Sequence, residues 1–261
     1  MITSRSNKKI KDTLSIKKNH SALACTMFFI EGRKVVESAF DCDIKLLTLF
    51  YTDESEPLLL KARDKNIEAL LISENLMKVI CDTVTPQGIA AIASMKPSSL
   101  SDIDSLDAKL LICDRIKDPG NMGNIIRASD VFGVKAVIIL NGSCNPFAPK
   151  VVRATSGSIF NIPIIFADID ELLKWTKAQN IPLIATHPKK GIPIYSAIFG
   201  NKFGLIIGEE GQGVDDHLLL LASQIVTIPI TGQAESLNVA NAAGICLYEV
   251  LRQEAMGQTI I

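Results

Sequence analysis

Short apolar runs separated by amphipathic stretches recur along the whole chain, and they fall into two sets. In the first set, Phe28–Ile30, Ile44–Phe50, Ala69–Ile72 and Gln87–Ala93 read as strands. Helices are expected between them: one through Val36 and Ala39, one from Pro57 to Asn66, and one from a Ser73 cap through Met77. Ile10, Leu14 and Lys17 fall at helical spacing and predict a short helix at the start. Excluding that start, the first set makes a compact α/β layer of roughly 70 residues, an ordinary size for a small domain. The second set has longer, continuous apolar strands: Leu110–Cys113, Ala136–Leu140, Ile162–Phe166, Pro182–Ala185, Gly204–Ile207 and Ile225–Ile228. Helices are expected over Met122–Val131, Lys150–Ser156, Ile169–Ala178, Asp215–Ala222 and Leu237–Glu254. Strands apolar on both faces imply a largely parallel sheet covered on both sides. Pro97, Ser98, Ser99 and Ser101 give the stretch between the sets a linker composition. The expected organisation is therefore a domain over 1–95, a linker over 96–107 and a second domain over 108–261.

Composition narrows the class. Apolar residues are 48% and charged residues 21% of the 261, ordinary globular values, and the net charge is −1. The chain as a whole does not advertise a nucleic-acid partner. No apolar run reaches the roughly 18 residues that span a bilayer, and the Lys-rich start lacks the apolar core of a signal peptide. The six cysteines (25, 42, 81, 113, 144, 246) are scattered, without metal-ligand spacing. A reduced, cytoplasmic protein without structural metal is expected. Charge is uneven, however. Arg5, Lys8, Lys9, Lys11, Lys17 and Lys18 face a single acid, Asp12, in the first eighteen residues. Such a run suits either a solvated helical end or an arm that contacts phosphates.

The candidate chemistry lies in three polar, glycine-bearing segments, each just after an apolar strand: Asp118–Arg127, Gly208–Gly213 and Ile228–Asn241. Loops of this kind gather ligands outside the carboxyl ends of α/β strands. Asp118-Pro119-Gly120-Asn121 reads as a turn, and Asn121, Asn124 and Arg127 follow at three-residue steps on a helix beginning there. Carboxamides and a guanidinium in that pattern suit a polar site, the alternative being a structural arginine paired with a carboxylate. The second segment is not the Gly-x-Gly-x-x-Gly fingerprint, and Glu209 and Glu210 would repel a pyrophosphate. It suits a ligand whose polar edges are donors. In the third, Ser236 is either a site residue or the cap of a long helix rich in Ala and Gly.

Together, Asn121-x-x-Asn-x-x-Arg127, Leu205-x-x-Gly-x-Glu-x-x-Gly213 and Ile228-Pro-x-x-Gly-x-x-x-Ser-Leu-Asn238-Val resemble, in order, the three motifs of the TrmH/SpoU family of RNA ribose 2′-O-methyltransferases. The first domain, with its basic start and Phe29-Ile30-Glu31-Gly32, is similar to the substrate-binding domain of ribosomal-RNA members, so the likeness covers nearly the whole chain. The resemblance implies an α/β SPOUT fold, a parallel sheet with a C-terminal deep trefoil knot, preceded by a small α/β domain like ribosomal protein L30e. Knots are very rare, so pattern reasoning alone would not propose one. It further implies a homodimer packed partly through the C-terminal helix, and S-adenosylmethionine bound at Gly208, Ile228 and Leu237.

The implied reaction is methyl transfer to a ribose 2′-oxygen, most simply of 23S ribosomal RNA. In the family the position of Arg127 is proposed as general base; a guanidinium normally stays protonated, and an electrostatic clamp on phosphate is the other role open to it. Asn121 would orient Arg127 or a phosphate, Glu210 would assist substrate placement, and Ser236 and Asn238 would line the transfer pocket. Arg153, in a segment similar to a further family stretch, would contact RNA phosphate, as would the arm carrying Lys8, Lys9 and Lys11. Alternatives are a catalytically silent RNA-binding relative in ribosome assembly, a transfer-RNA 2′-O-methyltransferase, and a Rossmann-like oxidoreductase, which lacks its fingerprint here.

Overall fold

The structure is a computed structural model that describes residues 1–18, 27–53, 56–96 and 98–257; Cys25 lies outside them. In chain order the elements are α1 (Lys8–Lys18), β1 (Met27–Glu31), α2 (Arg33–Asp41), β2 (Lys45–Tyr51), α3 (Leu58–Asp64), β3 (Glu68–Leu71), α4 (Glu74–Ile80) and β4 (Ile89–Ser94). There follow β5 (Lys109–Asp114), α5 (Pro119–Val131), β6 (Ala136–Leu140), α6 (Pro149–Thr155), β7 (Ile164–Ala167) and α7 (Ile169–Ala178). The chain closes with β8 (Leu183–Thr186), β9 (Ile192–Pro193), β10 (Phe203–Gly208), α8 (Asp216–Leu221), β11 (Gln224–Thr227) and α9 (Val239–Ala255). Two compact units result, Met1–Lys96 with Asn145–Asn161, and Pro97–Cys144 with Ile162–Ile261.

In the first unit the sheet order is β1-β4-β2-β3, with β4 antiparallel to both neighbours and β3 parallel to β2. Ile10, Phe29, Phe50, Ile72, Met77 and Ile80 form a core under it. Burying each such side chain contributes roughly 1.5–3 kcal/mol. The Ser73 hydroxyl caps α4 by accepting from the Leu76 amide at 3.3 Å, as its position before the helix predicts. On α1, Lys8 and Lys11 are exposed, whereas the Lys9 ammonium lies 2.5 Å from Glu68.

Residues 145–161, which the expected boundaries leave in the second domain, join the first unit, where α6 packs on β1. Glu31 explains the attachment. Its carboxylate is 3% exposed, and it accepts hydrogen bonds from the Arg153 guanidinium and from the Asp82 amide at 2.8 Å. Arg153, assigned to RNA phosphate from the sequence, thus has an internal partner. Phe147 adds a ring contact to Phe28 at 5.0 Å between centroids.

The second unit is built on a seven-stranded sheet ordered β7-β6-β5-β10-β8-β11-β9, every neighbouring pair of which is parallel. Leu110, Ile112, Ile138, Leu183 and Ile206 are buried in it, in line with the continuous apolar runs of the sequence. Residues 98–107, expected as a linker, carry two 3₁₀ turns, and Ser98 bridges to Ile165 of this sheet. β10 is laid between β5 and β8, so the loops after β5, β10, β8 and β11 leave four adjacent strands on one edge.

Removing the Arg153 guanidinium leaves the Glu31 carboxylate buried without its cation. Arg153→Ala is expected to lower stability by about 2–4 kcal/mol, read as an earlier midpoint in urea unfolding; an unchanged midpoint contradicts this account.

Candidate active site

The strand end of β5 begins the site. Asp114 is 1% exposed, and its carboxylate accepts from the Arg115 guanidinium at 3.1 and 3.0 Å and from the Asp215 amide at 2.7 Å. Arg115, held at φ 57°, also donates to the Gly213 carbonyl at 3.3 Å. A charge following an apolar strand was the available signal for this pair, and sequence reasoning missed it.

The segment read as a turn at 118–121 is the first turn of α5. Asp118 accepts from the Asn121 amide at 2.8 Å as N-cap, and Pro119 sits in the first turn, where a missing N–H costs nothing. The loop after β10 closes on itself, the Gly213 amide donating to the Glu209 carbonyl at 2.8 Å. At Gly208 a Cβ would come within 2.3 Å of the Gly213 carbonyl and the Val214 nitrogen, so only glycine fits. In the third loop Asn238, not Ser236, caps α9, accepting from the Ala240 amide at 3.0 Å and the Asn241 amide at 3.3 Å.

The three loops meet at Glu210. The Asn121 carboxamide donates to Glu210 Oε1 at 2.6 Å, and the Asn238 carboxamide donates to the same oxygen at 3.0 Å. Asn238 also donates to the Asn121 carbonyl oxygen at 2.9 Å. Each side chain comes from a different sequence motif, and the capping role of Asn238 leaves its amino group free to face the other two. Beside this network lies a cavity of about 410 Å³, within the usual range for small-molecule sites. Gly208, Glu210, Ile228, Ser236 and Leu237 all line it, as do Glu209 and Val239. Arg127 lies further along α5, exposed, and no hydrogen bond or ion pair to it occurs among the described residues.

Two further groups at the cavity were given no site role of their own from sequence. Glu209 Oε1 pairs with the Lys117 ammonium at 2.7 Å, while Oε2 is buried without a partner, a state that costs about 1–3 kcal/mol unless a ligand donor reaches it. The other is the 186–190 segment after β8. His187 Nδ1 accepts from the Lys189 amide at 3.0 Å and the Lys190 amide at 2.9 Å, which fixes the neutral imidazole with its proton on Nε2. Burial, and then Lys190, lower its pKa below the ordinary 6.5. Burial likewise raises the Cys246 thiol to about 12, so this cysteine in the cavity wall is an inert apolar group.

A parallel α/β sheet with a closed polar network and a ligand-sized cavity at its carboxyl edge is the architecture of an α/β enzyme domain. The chain belongs to the SpoU rRNA Methylase family, whose model matches residues 108–248; residues 7–91 match the MRM3-like substrate binding domain. A 23S rRNA (guanosine(2553)-2′-O)-methyltransferase, RlmP of Bacillus subtilis, is 32% identical over 95% of this chain and 98% of its own. An AdoMet-bound rRNA methyltransferase from Sinorhizobium meliloti superposes with a TM-score of 0.87 at 31% identity, covering 97% of both chains. The SpoU methyltransferase AviRb from Streptomyces viridochromogenes, in complex with AdoMet, gives 0.87 at 25% identity over 95% of this chain and 98% of its own.

The His187 arrangement has a pH consequence. A folded-state pKa below 6.5 means that its contribution to the 186–190 segment is complete above pH 6.5 and is lost as pH falls through the lowered value. In an NMR titration the His187 ring is expected to protonate below its ordinary pKa, with the Lys189 and Lys190 amide resonances shifting in the same step. Protonation at or above 6.5 would count against it.

Proposed function

We propose that the protein is an S-adenosylmethionine-dependent RNA ribose 2′-O-methyltransferase acting on 23S ribosomal RNA. The observation that carries this reading is the Asn121–Glu210–Asn238 network, which joins all three motifs at the rim of the cavity. The cavity fits the cofactor chemically: it has an apolar wall, a loop of backbone groups, and the unpartnered Glu209 oxygen for a donor. Gly208, Ile228 and Leu237 would hold the cofactor, which supplies an electrophilic methyl group on sulfur. Ser236, exposed at the cavity, would face the transfer site. Glu210 and the two carboxamides would fix the floor against which the ribose is placed. Arg127 has no neutralising carboxylate among the described residues, so its charge is available to grip an RNA phosphate and to stabilise the alkoxide as the 2′-hydroxyl loses its proton. A silent RNA-binding relative has no need of this polar network beside a small-molecule cavity.

The 1–95 region would select the RNA, with Lys8 and Lys11 exposed on α1 as phosphate contacts; Lys9 would join them by leaving Glu68. We also infer a small fold like that of ribosomal protein L30e in this part, and a C-terminal trefoil knot. The insertion of β10 between β5 and β8, with α9 returning onto α5, supports the knot. A homodimer is supported by the outer face of α9, where Ile245 is 40%, Tyr248 57% and Leu251 45% exposed, at helical spacing. The expected location is the cytoplasm, where ribosomal RNA is. Among the described residues no helix is long and apolar enough to cross a membrane.

Incubation with labelled cofactor and ribosomal RNA or ribosomal particles is expected to leave one 2′-O-methyl site, mapped by resistance to alkaline cleavage; no such product would sink the proposal. Arg127→Lys keeps the charge and loses the planar fork. It is expected to lower methyl transfer by about 10²-fold or more while cofactor affinity, read by calorimetry, stays within about twofold. For the dimer, Tyr248→Asp is expected to convert a two-chain species to a single chain in analytical ultracentrifugation, and a wild-type chain sedimenting alone refutes it.

A further inference from the structure

The unpartnered oxygen of Glu209 goes beyond the family motif, whose carboxylate is matched by Glu210. We propose that Glu209 Oε2 accepts a hydrogen bond from a ribose hydroxyl of the adenosyl group in the cavity, making Glu209 a residue that selects ribose over deoxyribose; this rests on the cofactor reading above. Four observations lead there. Glu209 lines the cavity, and Oε2 is buried with no partner among the described residues, so the site is short of one donor. The backbone carbonyl of Glu209 is already engaged by the Gly213 amide, which fixes the loop and leaves the side chain as the free acceptor. Oε1 is held 2.7 Å from the Lys117 ammonium. That cation neutralises the carboxylate and repels a second cation, so a neutral donor is favoured over the ammonium of an amino acid.

The last step is the division of the cavity wall. Ile228, Ile230, Leu237 and Val239, from β11 onward, give an apolar surface that suits a planar base. The loop after β10 gives the polar surface, Glu209 through Gln212. A nucleoside placed with its base on the first surface turns its sugar hydroxyls toward the second. A carboxylate on ribose hydroxyls is also how dinucleotide-binding sheets hold their sugar. Lys117, from the loop before α5, then acts as a positioning residue, since it holds Oε1 and leaves Oε2 as the acceptor without a partner among the described residues.

Calorimetry on the full chain tests this with S-adenosylhomocysteine and its 2′-deoxy and 3′-deoxy adenosyl analogues. Wild type is expected to lose roughly tenfold or more in affinity for one of the two analogues, the worth of a hydrogen bond to a charged group. Glu209→Ala is expected to bind the parent ligand that much more weakly and to lose the discrimination between parent and analogue. Glu209→Gln, which retains a carbonyl acceptor, is expected to recover part of both; it also serves where the alanine variant does not fold, as judged by thermal unfolding. Equal parent affinity in Glu209→Ala and wild type, or the same deoxy penalty in both, overturns the proposal and leaves the cofactor reading standing. Absence of binding of S-adenosylhomocysteine to wild type overturns that reading, and this inference with it.

Discussion

A buried carboxylate at the end of a central strand organises the catalytic edge of the second unit. Asp114 is almost fully removed from water, and a charge so placed needs hydrogen-bond partners. Its partners are the Arg115 guanidinium and the Asp215 amide, and Arg115 reaches on to the Gly213 carbonyl. The α8 end of the loop after β10 is thereby anchored to the end of β5, alongside which β10 itself is paired. Gly208 then lets that loop come back on itself more closely than any side chain would allow, and Gly213 takes the positive φ of its turn. Glu210 sits in the loop so anchored, where Asn121 from α5 and Asn238 from the start of α9 meet it. The network is therefore formed in the absence of a ligand.

Much of this was legible in the sequence, and the reason is local. Ala136–Leu140 and Ile169–Ala178 form the elements their patterns predict, and most others end within two or three residues of the expected positions. Strand order was not legible, because a continuous apolar run records burial on both faces and carries nothing about which strand lies beside it. The place of β10 between β5 and β8 is of that kind. So is the attachment of residues 145–161 to the first unit, which depends on Glu31 meeting Arg153 across 122 positions of chain.

The site was legible in its motifs and not in its division of labour. Ser236 and Asn238 both have capping chemistry, and spacing two residues apart does not say which one the helix uses. The structure gives the cap to Asn238, whose two amide ends then serve the helix and the network at once. Ser236 is left to the cavity. Glu209 and Glu210 are likewise neighbours of the same type. Backbone direction sends one carboxylate to the two carboxamides and the other to Lys117 and the cavity wall.

The caps of the second unit also decide which charges its ligands carry. In dinucleotide-binding sheets the amides at a helix start are left open and bind phosphate. Here α5, α7, α8 and α9 are capped by Asp118, Asp168, Asp215 and Asn238 of their own chain. Three of these caps are carboxylates, so each of those helix starts already has an anionic acceptor of its own. A cofactor held through a pyrophosphate has no place at them, whereas a sulfonium nucleoside, which carries no phosphate, loses nothing by their closure. On the proposed reading, an RNA phosphate is received by side-chain cations instead. On α5 the helical repeat sets Arg127 well past the capped first turn, where its guanidinium stays clear of Asp118 and unpaired among the described residues. On the proposed reading, the aspartate caps and Arg127 are two parts of one electrostatic arrangement, in which the caps suit a phosphate-free cofactor and the arginine a phosphate-rich substrate.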